Sequence, residues 1–115
     1  TKATIKAVFD KYSYLCDTHT AVAVKVYEDY KAKTGDTTKT LIASTASPYK
    51  FTGAVLEALC GEAPDMDDFA QVQKLGEISG LPIPAALAQL KEKPIRFTGS
   101  IEAGEMPETV LSMLD

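Results

Sequence analysis

The sequence predicts an α/β fold that is rich in helix and poor in strand. Three observations carry that expectation. Apolar residues recur at helical spacing over most of the chain. Thr40-Leu41-Ile42-Ala43-Ser44-Thr45 is a β-prone run with little alternation, which suits a strand covered on both faces. Ile95, Phe97, Gly99 and Ile101 alternate with Arg96, Thr98 and Ser100, the pattern of a half-exposed strand.

Each element has its own signal. Ile5, Val8, Phe9 and Tyr12 form the stripe of a first amphipathic helix. After a loop around Leu15 to Thr20, Ala23, Val26, Tyr27 and Tyr30 repeat that spacing, and Gly35 ends the second helix. Asp36 to Lys39 is polar and turn-like. Pro48 breaks the first strand, and a helix through Val55, Ala58 and Leu59 stops at Gly61. Asp65, Asp67 and Asp68 stand where caps and first-turn charges favour a helix carrying Phe69, Val72, Leu75 and Ile78, closed by Ser79-Gly80. Pro84 opens a short helix with Leu87 and Leu90. Pro107 starts a final one through Val110, Leu111 and Leu114. Two strands among six helices leave apolar surface uncovered, so residues 1–115 read as a single partial domain, a piece of something larger.

Composition removes several functions. A net charge of -4 with one arginine, Arg96, argues against a phosphate-backbone partner, so no nucleic acid is expected. No apolar stretch reaches the roughly 18 residues of a membrane span, and the start shows no signal-peptide pattern. No membrane contact and a cytoplasmic location are the expectations. Cys16 and Cys60 form no CxxC pair and adjoin Leu15 and Leu59, so both are expected to be buried, reduced thiols. A single histidine leaves no basis for a metal site.

Chemistry is expected at the end of the first strand, where α/β sheets bind ligands. Ser44-Thr45-Ala46-Ser47-Pro48-Tyr49-Lys50-Phe51 places three hydroxyls and a lysine in one short segment. Hydroxyls there can bond a heterocycle nitrogen or a phosphate, and Lys50 can pair an anion. The plain alternative is a Ser/Thr-rich turn that caps the next helix, with Lys50 in solvent. His19, in Asp17-Thr18-His19-Thr20, has the chemistry of a general acid or base, or it is an ordinary first-turn residue. There is no GxSxG, P-loop or GxGxxG.

Leu15-Cys16-Asp17-Thr18-His19-Thr20-Ala21-Val22 resembles the L-D-P-H-T-A-V motif of threonine synthases. Leu41 to Phe51 is similar to that family's S-T-A-H-P-x-K-F, and Gly80-Leu81-Pro82-Ile83-Pro84 to its G-x-P-x-P. Ile101-Glu102-Ala103-Gly104-Glu105 before a short helix matches how these enzymes end. The resemblance runs through nearly the whole chain, in order. It implies the carboxy-terminal portion of a pyridoxal-phosphate lyase of the tryptophan-synthase-β type (fold type II), acting in threonine biosynthesis. Such enzymes convert O-phospho-L-homoserine and water to L-threonine and phosphate.

By that resemblance, Thr45 takes the cofactor's pyridine nitrogen and Ser44 supports it. His19, Ser47 and Lys50 line the site. No catalytic residue is assigned, because nothing resembles the S-x-K-D segment with the Schiff-base lysine. Two departures stand out: Ser47-Pro48 replaces the family's H-P, and Asp17-Thr18-His19 replaces D-P-H. The implied partners are the missing amino-terminal lobe of the same polypeptide and the substrate O-phosphohomoserine. Self-association is expected if the surface that meets that lobe is bare. The chain alone is expected to be inactive. The alternative is a free-standing, noncatalytic α/β module that binds through the Ser44–Lys50 loop.

Overall fold

Helix α1 (Lys2–Tyr12) turns Ile5 and Val8 inward and stops where Ser13 adopts a left-handed conformation, φ 54°, with its N–H donating to Phe9 O. This is a computed structural model, and it describes residues 1–114. Helix α2 (Thr18–Thr34) starts on the side chain of Asp17 and ends at Gly35, φ 69°. A positive φ of this kind costs glycine nothing and most other residues something, so the glycine marks the stop. A 3-10 turn (Pro48–Lys50) leads into α3 (Thr52–Cys60). Helix α4 (Asp68–Ser79) is capped by the side chain of Asp67, as clustered first-turn aspartates predict. A short α5 (Ala85–Ala88) and α6 (Met106–Ser112) complete the order.

The core is helix on helix. Helix α3 packs against α1 on one side and α4 on the other, and α2 leans on α1. Ile5, Val8, Leu15, Cys16, Ala21, Val55, Leu56, Val72 and Leu75 meet there, joined by Tyr49, whose hydroxyl donates to Leu81 O at 2.7 Å. Burying a side chain of this size contributes about 1.5–3 kcal/mol, so this small cluster dominates the stability.

The α/β expectation is overturned. Among the described residues there is no strand and no sheet. Residues 40–45 and 95–101 are irregular, and neither run makes a backbone–backbone hydrogen bond. The physical reason is that β-propensity expresses fit to a pleated, half-buried surface, and a strand needs a partner to supply its ladder. The two runs do not pair with each other, and helices offer no free ladder groups. Leu41 is fully exposed, while Ile95 and Phe97 are 80% and 78% exposed.

Two smaller expectations also change. The Ala23-Val26-Tyr27-Tyr30 stripe of α2 faces outward, and α2 buries Thr20 and Ala21 instead. Cys60 is exposed, although both thiols are free and Cys16 is buried. Residues beyond about 93 leave the bundle. The radius of gyration is 18.7 Å, whereas a compact chain of this length has one of about 13 Å. No described helix is long and apolar enough to cross a membrane.

Candidate functional site

The N-terminus of α2 organises the polar chemistry of the molecule. Leu15 and Cys16 are buried, and they carry Asp17 into the interior, where its side chain is wholly inaccessible. A buried carboxylate needs its lone pairs filled. Oδ1 accepts from the backbone N–H of His19 at 2.8 Å and of Thr20 at 3.3 Å, and Oδ2 accepts from the Thr20 hydroxyl. The His19 ring lies outside this shell, two-thirds exposed, with Nδ1 3.3 Å from Asp17 Oδ1. It also meets Phe51 edge to face, ring centroids 5.0 Å apart.

The loop that follows α2 returns to this point. Asp36 ties its start, accepting from Thr38 N at 2.8 Å and from the Tyr30 hydroxyl at 3.0 Å. Ile42 borders one small hollow together with Val8, Cys16 and Val24. Ser44 then comes within 3.2 Å of the Thr20 hydroxyl, oxygen to oxygen. The polar residues of the two family-like segments, far apart in sequence, are therefore joined through Thr20.

The sequence-derived site residues fall into two groups. Thr45 is exposed beside Ser44, and His19 stands over the same corner. Ser47 accepts from Tyr49 N at 3.3 Å and so caps the 3-10 turn, while Lys50 is exposed at its end. Asp17 and Thr20 carry no site role on sequence alone, yet they form the buried centre of the constellation. The D-x-x-T spacing, with the carboxylate just after two apolar residues, is the signal that could have marked them.

Two hollows flank the corner. One, of about 720 Å³, is bordered by Lys50, Phe51, Thr52, Phe69, Leu87 and Leu90. The other, of about 630 Å³, is more open and is bordered by His19, Val22, Val26, Tyr30, Leu41 and Ala43. The His19–Phe51 contact lies between them. Thr45 lines neither. Among the described residues no cluster has the ligands for a metal ion.

Burial pushes the Asp17 carboxyl up. The Thr20 hydroxyl, the N–H groups of His19 and Thr20, and the His19 ring outweigh that, and the net direction is below the ordinary 3.8. A carboxyl depressed in the folded state stabilises the fold above its unfolded value, and that stability is lost as pH falls through the folded value. Thermal melting temperature is thus expected to fall as pH drops below about 4. Asp17→Asn, which keeps a capping oxygen, is expected to flatten that decline. An unchanged pH profile in this variant would assign the acid sensitivity elsewhere. Cys16 behaves oppositely to a reactive thiol: burial first, then the Asp17 charge, hold its pKa up.

With this geometry in view, one comparison bears on it. A family model described as "Threonine synthase, C-terminal" matches residues 20–106. The match takes in Thr20, Ser44, Thr45, Ser47 and Lys50; Asp17 and His19 lie just before it.

Proposed function

The chain belongs to the threonine synthase carboxy-terminal family, and from that premise we propose that it supplies one wall of a pyridoxal-phosphate site. The parent activity is conversion of O-phospho-L-homoserine and water to L-threonine and phosphate. The observation that carries the reading is what the α2 corner offers outward. Every oxygen of the one carboxylate there is occupied internally, so the corner presents neutral polar groups: the exposed residues Ser44 and Thr45 with their hydroxyls, beside the exposed His19 ring. The Thr45 hydroxyl fits a pyridine nitrogen, which it can meet without forcing it to be protonated.

When bound, the cofactor supplies the electron sink for the carbanion chemistry. The residues of this chain bind and orient. Thr45 would offer its hydroxyl to the ring nitrogen, and Ser44, held by Thr20, would set the direction of the loop. His19 and Phe51 form an aromatic edge beside the pair. Ser47 fixes the turn that presents Lys50, whose charge favours an anion. No residue here takes the part of the lysine that holds the cofactor. The partner that fits this reading is an amino-terminal lobe of the same polypeptide, which would cover the exposed Val22, Val26, Tyr30 and Leu41.

The test is Thr45→Ala in a full-length synthase carrying this segment, read by phosphate release and by the absorption of the bound cofactor. A shifted absorption band and a loss of about 100-fold or more in kcat are expected, by analogy with removing one preorganised electrostatic contact. The 115-residue chain alone is expected to release no phosphate. An unmoved band with unchanged kcat would remove Thr45 from the site. The Ser44–Lys50 loop would then be better read as the binding loop of a noncatalytic module.

A further inference from the structure

Thr20 stands between two partners and has one hydroxyl proton to give. Its Oγ1 donates to Oδ2 of the buried Asp17 and lies 3.2 Å from Ser44 Oγ. An ionised carboxylate only accepts, and a charge-assisted hydrogen bond is roughly twice as strong as a neutral one. The Thr20 proton therefore belongs to Asp17. The proton on the Thr20–Ser44 contact must then come from Ser44. With that proton directed inward, Ser44 Oγ has only lone pairs left for anything outside the chain.

We propose that Asp17 is a positioning residue that acts through Thr20 to make Ser44 an outward acceptor, leaving Thr45 as the member of the pair that still has a proton to offer outward. The order of protons runs Ser44 to Thr20 to Asp17, anchored at a carboxylate whose remaining lone pairs are filled by the N–H groups of His19 and Thr20. The proposal rests on the reading of Ser44–Thr45 as the cofactor-facing pair and sharpens it. Thr45 keeps a proton to give, so a ligand atom opposite it can accept, as an unprotonated ring nitrogen does. A ligand atom opposite Ser44 must carry a hydrogen, as a hydroxyl or ammonium group does. Two adjacent hydroxyls that sequence treats as interchangeable thus differ in what they recognise. Ser44 cannot take the donor role while Asp17 is ionised and holds the Thr20 proton.

The ordering is tested without any cofactor, by following the Asp17 side-chain carboxyl through a pH titration by NMR in the 115-residue chain. Ser44→Ala alters an exposed position and leaves the core intact. If Ser44 donates inward, its removal takes away a polarising donor, weakens the Thr20–Asp17 bond and raises the Asp17 midpoint. Thr20→Val is expected to raise it further, and Thr20→Ser to return it close to the native value. A fall in the Asp17 midpoint in Ser44→Ala would overturn the proposal. It would mean that Thr20 had been giving its proton to Ser44 and had become free to give it to Asp17. No change at all would also overturn it, since the two hydroxyls would then be uncoupled. The cofactor reading fails separately, on an unmoved absorption band in Thr45→Ala of the full-length enzyme, whatever the titration shows.

Discussion

Leu56→Ala is expected to destabilise the fold by about 3 kcal/mol and to lower its melting temperature by ~15 °C, the usual scale for emptying a core site in a domain of this size. Leu56 is 2% exposed and lies on α3, the helix that packs against both α1 and α4. Truncation empties a buried site on the helix that both neighbours pack against, and the void cannot close without moving α3. Against a total stability of about 5–15 kcal/mol for an ordinary domain, and with a tail that contributes little burial, this loss is severe. The effect reaches the site as well, because α3 begins at Thr52, next to the Phe51 ring that meets His19. Urea unfolding followed by circular dichroism measures the loss. Leu90→Ala is the control: Leu90 is half exposed, and its truncation is expected to change stability by no more than about 0.5 kcal/mol. Equal effects for the two variants would mean that α3 is not the centre of the core.

The helices were legible in the sequence because their signals are local. Gly35, Gly61 and Gly80 end helices at positive φ, and Asp17 and Asp67 start them with side-chain caps. Each of these needs only a few neighbouring residues to act. The strands were illegible for the opposite reason. Thr40–Thr45 and Ile95–Ile101 carry the right residue types, but a ladder is a property of two segments, and among the described residues no segment pairs its backbone with either run. The outward stripe of α2 shows the same limit. Val26 and Tyr30 have helical spacing, which sequence reads correctly, but spacing does not say which face the rest of the chain covers.

The candidate site was half legible. Ser44 and Thr45 stood out as hydroxyls in a short loop, and the family-like motifs marked both that loop and the Asp17–Thr20 turn. What joins them is a contact across 24 residues between Thr20 and Ser44, and no periodicity or local motif encodes it. The burial of Asp17 was likewise hidden. A capping aspartate is ordinarily at the surface, whereas this one follows the buried Leu15 and Cys16 into the interior.

Asp17→Ala is expected to be the second costly substitution, at about 2–4 kcal/mol, because it combines the loss of an N-cap with the stranding of buried donors. Two backbone N–H groups and the Thr20 hydroxyl give up their acceptor together, and water reaches that position poorly because Thr20 and Cys16 are themselves buried. The first turn of α2 is expected to fray, which amide hydrogen exchange at His19, Thr20 and Ala21 would register as lost protection. Freed from Asp17, Thr20 can turn its proton toward Ser44 and reverse the polarity of the hydroxyl pair. Asp17→Asn separates these consequences. It restores a capping acceptor and so recovers most of the stability, but its amide carries no charge to hold the Thr20 proton. Stability recovered in Asn while cofactor absorption in the full-length enzyme stays altered would show that the charge, beyond the cap, is what the site uses. Full recovery of both would reduce Asp17 to a helix cap.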